Sequence, residues 1–408
     1  MRRSVLFLLM TATALGCGVA EEGVPAPSTT ISFPVGLAAH PDGRYLYIAN
    51  SVFDRRYRNG TVMVYDTQSE SVLGNATFST GLFSGELVVG RRTPDGPVFG
   101  YVASREKNHL VQFGVDSDAG DAVDHLSETS VAESFGGRTF ADDPYGLAVD
   151  THGLTVTHLG RGVVSRWGLD ENDSLVFRCS LSLSEGATFV ARHPVLGTWY
   201  VTDRAGGRVE VLEETIPTAP IGGIAEAPCA LETVATLSVS PGTSRGLAFS
   251  ADGSRLYLAG GTEGALRVYD TTVGRGGRAR NRLIASIPLG DQPGEVRVAG
   301  CRPCECPSSS ETPCDPRAPV TENTVNAKGL GLVYVSMFED DRVLVVDPNA
   351  LIVLDRIETG RGPHAMEFMV TGAGVLRGYV ANFDSSSISV VDLEPGSETR
   401  FSVVDTIQ

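Results

Sequence analysis

Three fifteen-residue stretches of this chain nearly superimpose: LYLAGGTEGALRVYD at 256–270, VYVSMFEDDRVLVVD at 333–347 and GYVANFDSSSISVVD at 378–392. In each, a tyrosine precedes an aspartate by 13 residues: Tyr257 and Asp270, Tyr334 and Asp347, Tyr379 and Asp392. Tyr200 and Glu213 keep that spacing, and Tyr47 to Asp66 and Tyr101 to Asp116 fit with different turns. A degenerate copy runs from about Thr157 to Asp170, with threonine in place of tyrosine. A unit repeated this often limits the chain to architectures in which identical modules cover one another.

Each copy is two alternating runs joined by a polar turn, the pattern of a β-hairpin. The closing acid suits the strand end, because a short carboxylate can accept a hydrogen bond from its own backbone two residues on. Upstream, GLAAHPDG at 36–43, GLAVDTHG at 146–153 and GLAFSADG at 246–253 read as a further strand and turn. Weaker counterparts lie at 89–96, 189–197, 295–300 and 365–374. Downstream, SVLGNATFS at 71–79 and ALIVLDRIETG at 350–360 supply a fourth strand. Four strands repeated seven times predict an all-β fold, a seven-bladed β-propeller of four-stranded antiparallel blades over 31–408. A β-sandwich pair or a solenoid is the rival. The repeated tyrosine is expected to fill the wedge between blades, its hydroxyl at a polar edge. TTISF at 29–33 and RFSVVDTIQ at 400–408 are expected to pair as the outermost strand of one blade.

YIAN at 47–50, YVTD at 200–203, YVAN at 379–382 and the preceding PVGLAAHPDG at 34–43 resemble the YVTN repeat, a seven-bladed propeller family. The resemblance covers roughly residues 30–408 and is weakest in blades two to four. It implies the fold but no single activity. Relatives include envelope binding proteins and, more distantly, lactonase-type propellers. In the latter, carboxylates and an amide hold a metal near the axis, and the metal polarises the lactone carbonyl.

The first sixteen residues have the parts of an export signal: Arg2 and Arg3, a short apolar core at Val5–Leu15, then small residues. Ala14-Leu15-Gly16-Cys17 resembles a bacterial lipobox, which implies lipidation of Cys17; cleavage after Ala20 is the rival. Residues 17–30 then form a lipidated, flexible tether, and the chain is expected on the bacterial envelope, at the outer membrane. The formal charge of −16 argues against a nucleic-acid partner. The one basic stretch, GRGGRARNR at 274–282, reads as a solvated loop.

Six cysteines remain: Cys179, Cys229, Cys301, Cys304, Cys306 and Cys314. The last four lie in an insertion at about 300–329, between the first and second strands of blade six. Disulfides suit an exported chain, and Cys179 and Cys229 then pair by exclusion. A four-thiolate metal cage is the alternative.

Chemistry in a propeller belongs where the innermost strands begin, at the mouth of the central channel. Val35, Glu86, Tyr145, Thr188, Arg245, Glu295 and His364 occupy that level. Of these, Glu86, Tyr145, Arg245, Glu295 and His364 are the candidate ligand-binding residues, with Glu295 and His364 the candidates for catalysis. The ring suits a small anion, a sugar acid or a divalent cation, though no third oxygen ligand is evident. Two functions follow as expectations. One is a binding or scaffold module for a protein or glycan of the envelope, with no cofactor. The other is a lactonase-like hydrolase using the channel site, with a divalent cation possible.

Overall fold

The computed structural model describes residues 23–91, 96–116, 121–131, 142–183, 186–215, 229–239, 244–299 and 331–408. Seven antiparallel sheets follow one another along the chain, at 34–80, 84–130, 144–182, 187–238, 244–288, 293–358 and 363–407, here blades 1 to 7. Within each blade the strands are consecutive, from innermost to outermost. In blade 1 the outer strand is split into Ser71–Val72 and Phe78–Thr80, both paired with Gly60–Asp66. The innermost strands stand side by side around an axis, and Pro363–Val370 of blade 7 lies against Pro34–Ala39 of blade 1. The chain is therefore the seven-bladed propeller its repeats predict.

The strand ends carry the expected chemistry. Asp66, Asp170, Asp270, Asp347 and Asp392 each accept, through Oδ1, the backbone N–H two residues on, at 2.7–3.0 Å. Gly43 and Gly253 close the first turns of blades 1 and 5 with φ of +80° and +69°, a conformation that a side chain would strain. The middle strands bury both faces. All six residues of Tyr45–Asn50 are inaccessible, because a neighbouring sheet lies on either side.

Seven apolar clusters fill the wedges, one for each pair of adjacent blades. Tyr47, Tyr101, Tyr200, Tyr257, Tyr334 and Tyr379 are 0–2% exposed, each in the wedge toward the following blade. Not all hydroxyls find an edge: that of Tyr200 donates to Asn281 Oδ1 at 2.7 Å, whereas that of Tyr257 is buried with no partner among the described residues.

Blade 3 departs from the rule. The residue at the tyrosine level is Thr155, not Thr157, since Thr155 pairs with Ala148 and Arg166 as Tyr47 pairs with Ala38 and Val64. The space is taken by Arg166, only 2% exposed, which donates to Thr155 Oγ1 at 2.8 Å. Its guanidinium lies 3.2 Å from Asp150, 3.0 Å from Glu214 and 4.8 Å from the centre of the Trp199 ring in blade 4. The Cys179–Cys229 disulfide ties the outer strands of the same two blades, with Cys179 inside the outermost strand of blade 3. The other four cysteines of the insertion, and Cys17, lie outside the described residues.

The ends do not meet as expected. Val403–Ile407 is the outermost strand of blade 7, but residues 29–33 do not pair with it. They add Ile31 to the cluster between blades 7 and 1 instead, and Phe33 N–H donates to Ser386 Oγ at 3.2 Å. Blade 7 is completed by four consecutive strands from the C-terminal part of the chain. Upstream, Ser28 and Val24 bond to Thr77 and Arg58 of blade 1.

Opening the Cys179–Cys229 bond, by reduction or by serine at both positions, frees a crosslink across 50 residues. It is expected to lower stability in urea by about 2–4 kcal/mol; an unmoved midpoint would count against that role. Arg166→Ala removes the buried guanidinium between Asp150 and Glu214, leaving Asp150 to Arg192 at 3.3 Å, and is expected to cost about 3 kcal/mol in the same measurement.

Candidate functional site

Every innermost strand enters the sheet through a β-bulge, which leaves two unpaired residues at the channel mouth of most blades. Tyr145, Thr188 and His364 stand at the first of these positions. Glu86 and Glu295 stand at the second, so they do not share one level with the others as the sequence suggested. The backbone of Arg245 falls at the first position in blade 5; its side chain lies outside the described residues.

Blades 1, 3 and 5 carry glycine at the second position. A Cβ on Gly146 would collide with the Thr188 carbonyl oxygen of blade 4, so neighbouring strands come too close for a side chain there. Glu86 and Glu295 use that closeness. Glu86 Oε2 accepts the Leu147 N–H of blade 3 at 2.8 Å, and Glu295 Oε2 accepts the Met366 N–H of blade 7 at 2.5 Å. Each carboxylate thus occupies a backbone donor of the next blade.

Their other oxygens meet at Arg297. Its Nη2 is 2.7 Å from Glu295 Oε1 and 3.8 Å from Glu86 Oε1, and its Nε donates to the Met366 carbonyl at 3.1 Å. Burial raises the pKa of Glu295 to about 7; Arg297 and the Met366 N–H pull it down, while Glu86 and Glu367 push it up. Burial likewise raises Glu86 above the usual carboxylate range, against the opposite pull of Arg297 and the Leu147 N–H. Arg297 is held above its ordinary value by Glu295, Glu367 and Glu86, although burial opposes its charge. This ion cluster forms the floor of a cavity of about 470 Å³. Glu295 is 9% exposed and the Arg297 side chain 34% exposed, so the floor meets the cavity from inside the fold.

The lactonase resemblance implies a metal held by axial carboxylates. These residues do not fit one. The guanidinium of Arg297 already stands between the two carboxylates and supplies their positive charge. Among the described residues, no group of three or more His, Cys, Asp or Glu is placed to hold a metal ion.

The cavity has two unlike sides. Val35, Tyr145, Glu86, Glu295 and His364 line it, as do Phe53, Phe83, Phe189, Phe338 and Phe383. Phe53 is 64% exposed, with its ring 5.6 Å from Phe383 and 6.4 Å from Phe83. Phe33 packs behind, 5.1 Å from Phe383. Beside the cavity a recess of about 50 Å³ brings together Tyr145, Thr188, Arg204, Glu295, Ser336 and His364, and shares Phe189 and Phe338 with the larger cavity. Arg105 adds a second guanidinium, fixed on Asp143 at 2.6 Å and lying 5.0 Å from the centre of the Tyr145 ring.

Sequence reasoning missed the upper tier of this site. Ser51, Arg105, Arg204, Phe338 and Phe383 each follow directly on the strand that bears the tyrosine or its equivalent. The signal was present: each lies four residues beyond the repeated tyrosine, after Asn50, Ser104, Asp203, Met337 or Asn382. Arg297, two residues beyond Glu295, was also passed over.

No known protein-family profile and no curated protein sequence matches the chain. Many solved structures do. The periplasmic gluconolactonase PpgL of Pseudomonas aeruginosa is 19% identical, with a TM-score of 0.60 over 89% of this chain and 96% of that one. A putative 6-phosphogluconolactonase from Bacteroides fragilis is 14% identical, with a TM-score of 0.58 over 90% and 92%. Hydrazine synthase of Kuenenia stuttgartiensis is 15% identical, with a TM-score of 0.54 over 93% and 99%. At these identities the likeness establishes a shared architecture: the chain has the propeller fold of these structures.

Proposed function

We propose that the channel-mouth cavity binds a lactone and opens it by hydrolysis. The observation that carries this reading is Glu295, a buried carboxyl with a pKa of about 7 facing a recess that also contains Arg204 and His364. A base tuned near neutral pH combines a usable ionised fraction with real proton affinity. In the proposed step, ionised Glu295 takes one proton from a water molecule as the water oxygen bonds to the lactone carbonyl carbon. Arg204 receives the developing oxyanion. The ring C–O bond then breaks, and the leaving oxygen takes the proton back from Glu295, giving the hydroxy acid.

Purified protein is expected to open simple δ-lactones at a rate that rises with pH through about 7, as Glu295 ionises. Glu295→Gln, which keeps an oxygen for the Met366 N–H, is expected to lower kcat by about a hundredfold or more. Undiminished turnover in this variant would remove Glu295 from the mechanism.

We also propose that the protein is held on the outer membrane through a lipid on Cys17. Cys17→Ala is then expected to shift the exported chain from the membrane fraction to the soluble fraction; unchanged fractionation would rule the anchor out. The binding-module reading draws on the 300–329 insertion. Its described flanks, Ala299 and Leu332, pair at the end of blade 6 away from the cavity, so a partner there would use the opposite face.

A further inference from the structure

We infer that the substrate is an amphipathic lactone, bearing an alkyl or aryl arm, rather than a polyhydroxylated sugar lactone. The inference rests on the hydrolytic reading above and names the substrate class of the same site. Two compartments share one cavity. The recess beside Glu295 and Arg204 measures only about 50 Å³, room for a reacting carbonyl and little more. The chamber it opens from is about 470 Å³, far more than a lactone ring fills and within the range of pockets that hold drug-sized ligands.

The chamber wall decides what the remaining volume suits. Phe53, Phe83 and Phe383 come from three successive blades around the ring closure, and their rings lie within 6.4 Å of one another in sequence across Phe53. Phe338 extends the wall, 6.2 Å from Phe383. Phenylalanine offers an apolar face and no hydrogen bond. A sugar acid presents hydroxyls on every carbon, and each would need a donor or acceptor on the wall. Among the described residues the polar groups of the lining are two serines, two glutamates, three arginines, one histidine and one tyrosine, and both glutamates are already held by Arg297 and a backbone N–H. A ring as exposed as Phe53 costs solvation in the free protein, and an apolar arm laid across it recovers that cost.

The test compares δ-dodecalactone with glucono-δ-lactone, and adds the δ-lactam with the same alkyl chain as a ligand that does not react. The alkyl lactone is expected to be opened with a kcat/KM about tenfold or more above that of gluconolactone. Phe53→Ser, at an exposed position that leaves the core intact, and Phe383→Ala are each expected to raise KM for the alkyl lactone several-fold more than KM for gluconolactone. Equal or better turnover of gluconolactone, or an equal rise in both KM values, overturns the inference while leaving hydrolysis standing. If neither lactone is opened, the proposed reaction fails, and calorimetry with the lactam decides the ligand class. Lactam binding that weakens in Phe53→Ser and Phe383→Ala sustains an amphipathic ligand. No lactam binding overturns it and leaves the aromatic mouth as a surface for a protein partner.

Discussion

A four-stranded sheet with two apolar faces cannot stand alone in water, and the rest of this molecule follows from that. Each blade must be covered on both sides, and a closed ring is the arrangement in which every blade covers the next. The tyrosine of the second strand carries much of that contact. It appears in six of seven blades, always in the wedge toward the following blade. The same packing closes the ring. Blades 7 and 1 meet through an apolar cluster like the others, and among the described residues no strand is exchanged between the two ends of the chain.

The wedge between blades 3 and 4 shows what happens where the apolar solution is missing. Arg166 stands in the space of the tyrosine, and a buried guanidinium demands counter-charges, which Asp150 and Glu214 supply. Trp199 gives it an aromatic face, and a disulfide spans the outer strands of the same pair. Ionic contacts require more exact geometry than apolar ones, so a covalent tie at this wedge is physically sensible.

At the axis, the constraint that brings blades together also builds the site. Where innermost strands approach most closely, glycine is one solution and an inward carboxylate bonded to the next blade is the other. Glu86 and Glu295 take the second course. Two carboxylates near one axis attract a cation, and Arg297 of the chain itself provides it. The result is a floor that is structural in origin and chemically poised, because burial leaves Glu295 titrating near neutrality.

The repeat spacing was sufficient to read the all-β class, the number of blades, the strand-closing acids and the tyrosine wedges, since these depend on periodicity along the chain. Glu86, Tyr145, Glu295 and His364 were legible as mouth residues for the same reason: a repeated strand repeats its entry point. Periodicity could not distinguish the two bulge positions, because a bulge changes the count by one residue without changing the letters. Nor could it show that Arg297 sits between carboxylates of blades 2 and 6, or that Phe53, Phe83 and Phe383 share a wall. Glu86 is far from Arg297 in the chain, as Phe383 is from Phe53 and Phe83, and they meet only because the ring closes. The sequence by itself determined the module and its copy number; the tertiary structure alone decided which side chains face one another across the axis, since that distance is set by closure and not by any local preference.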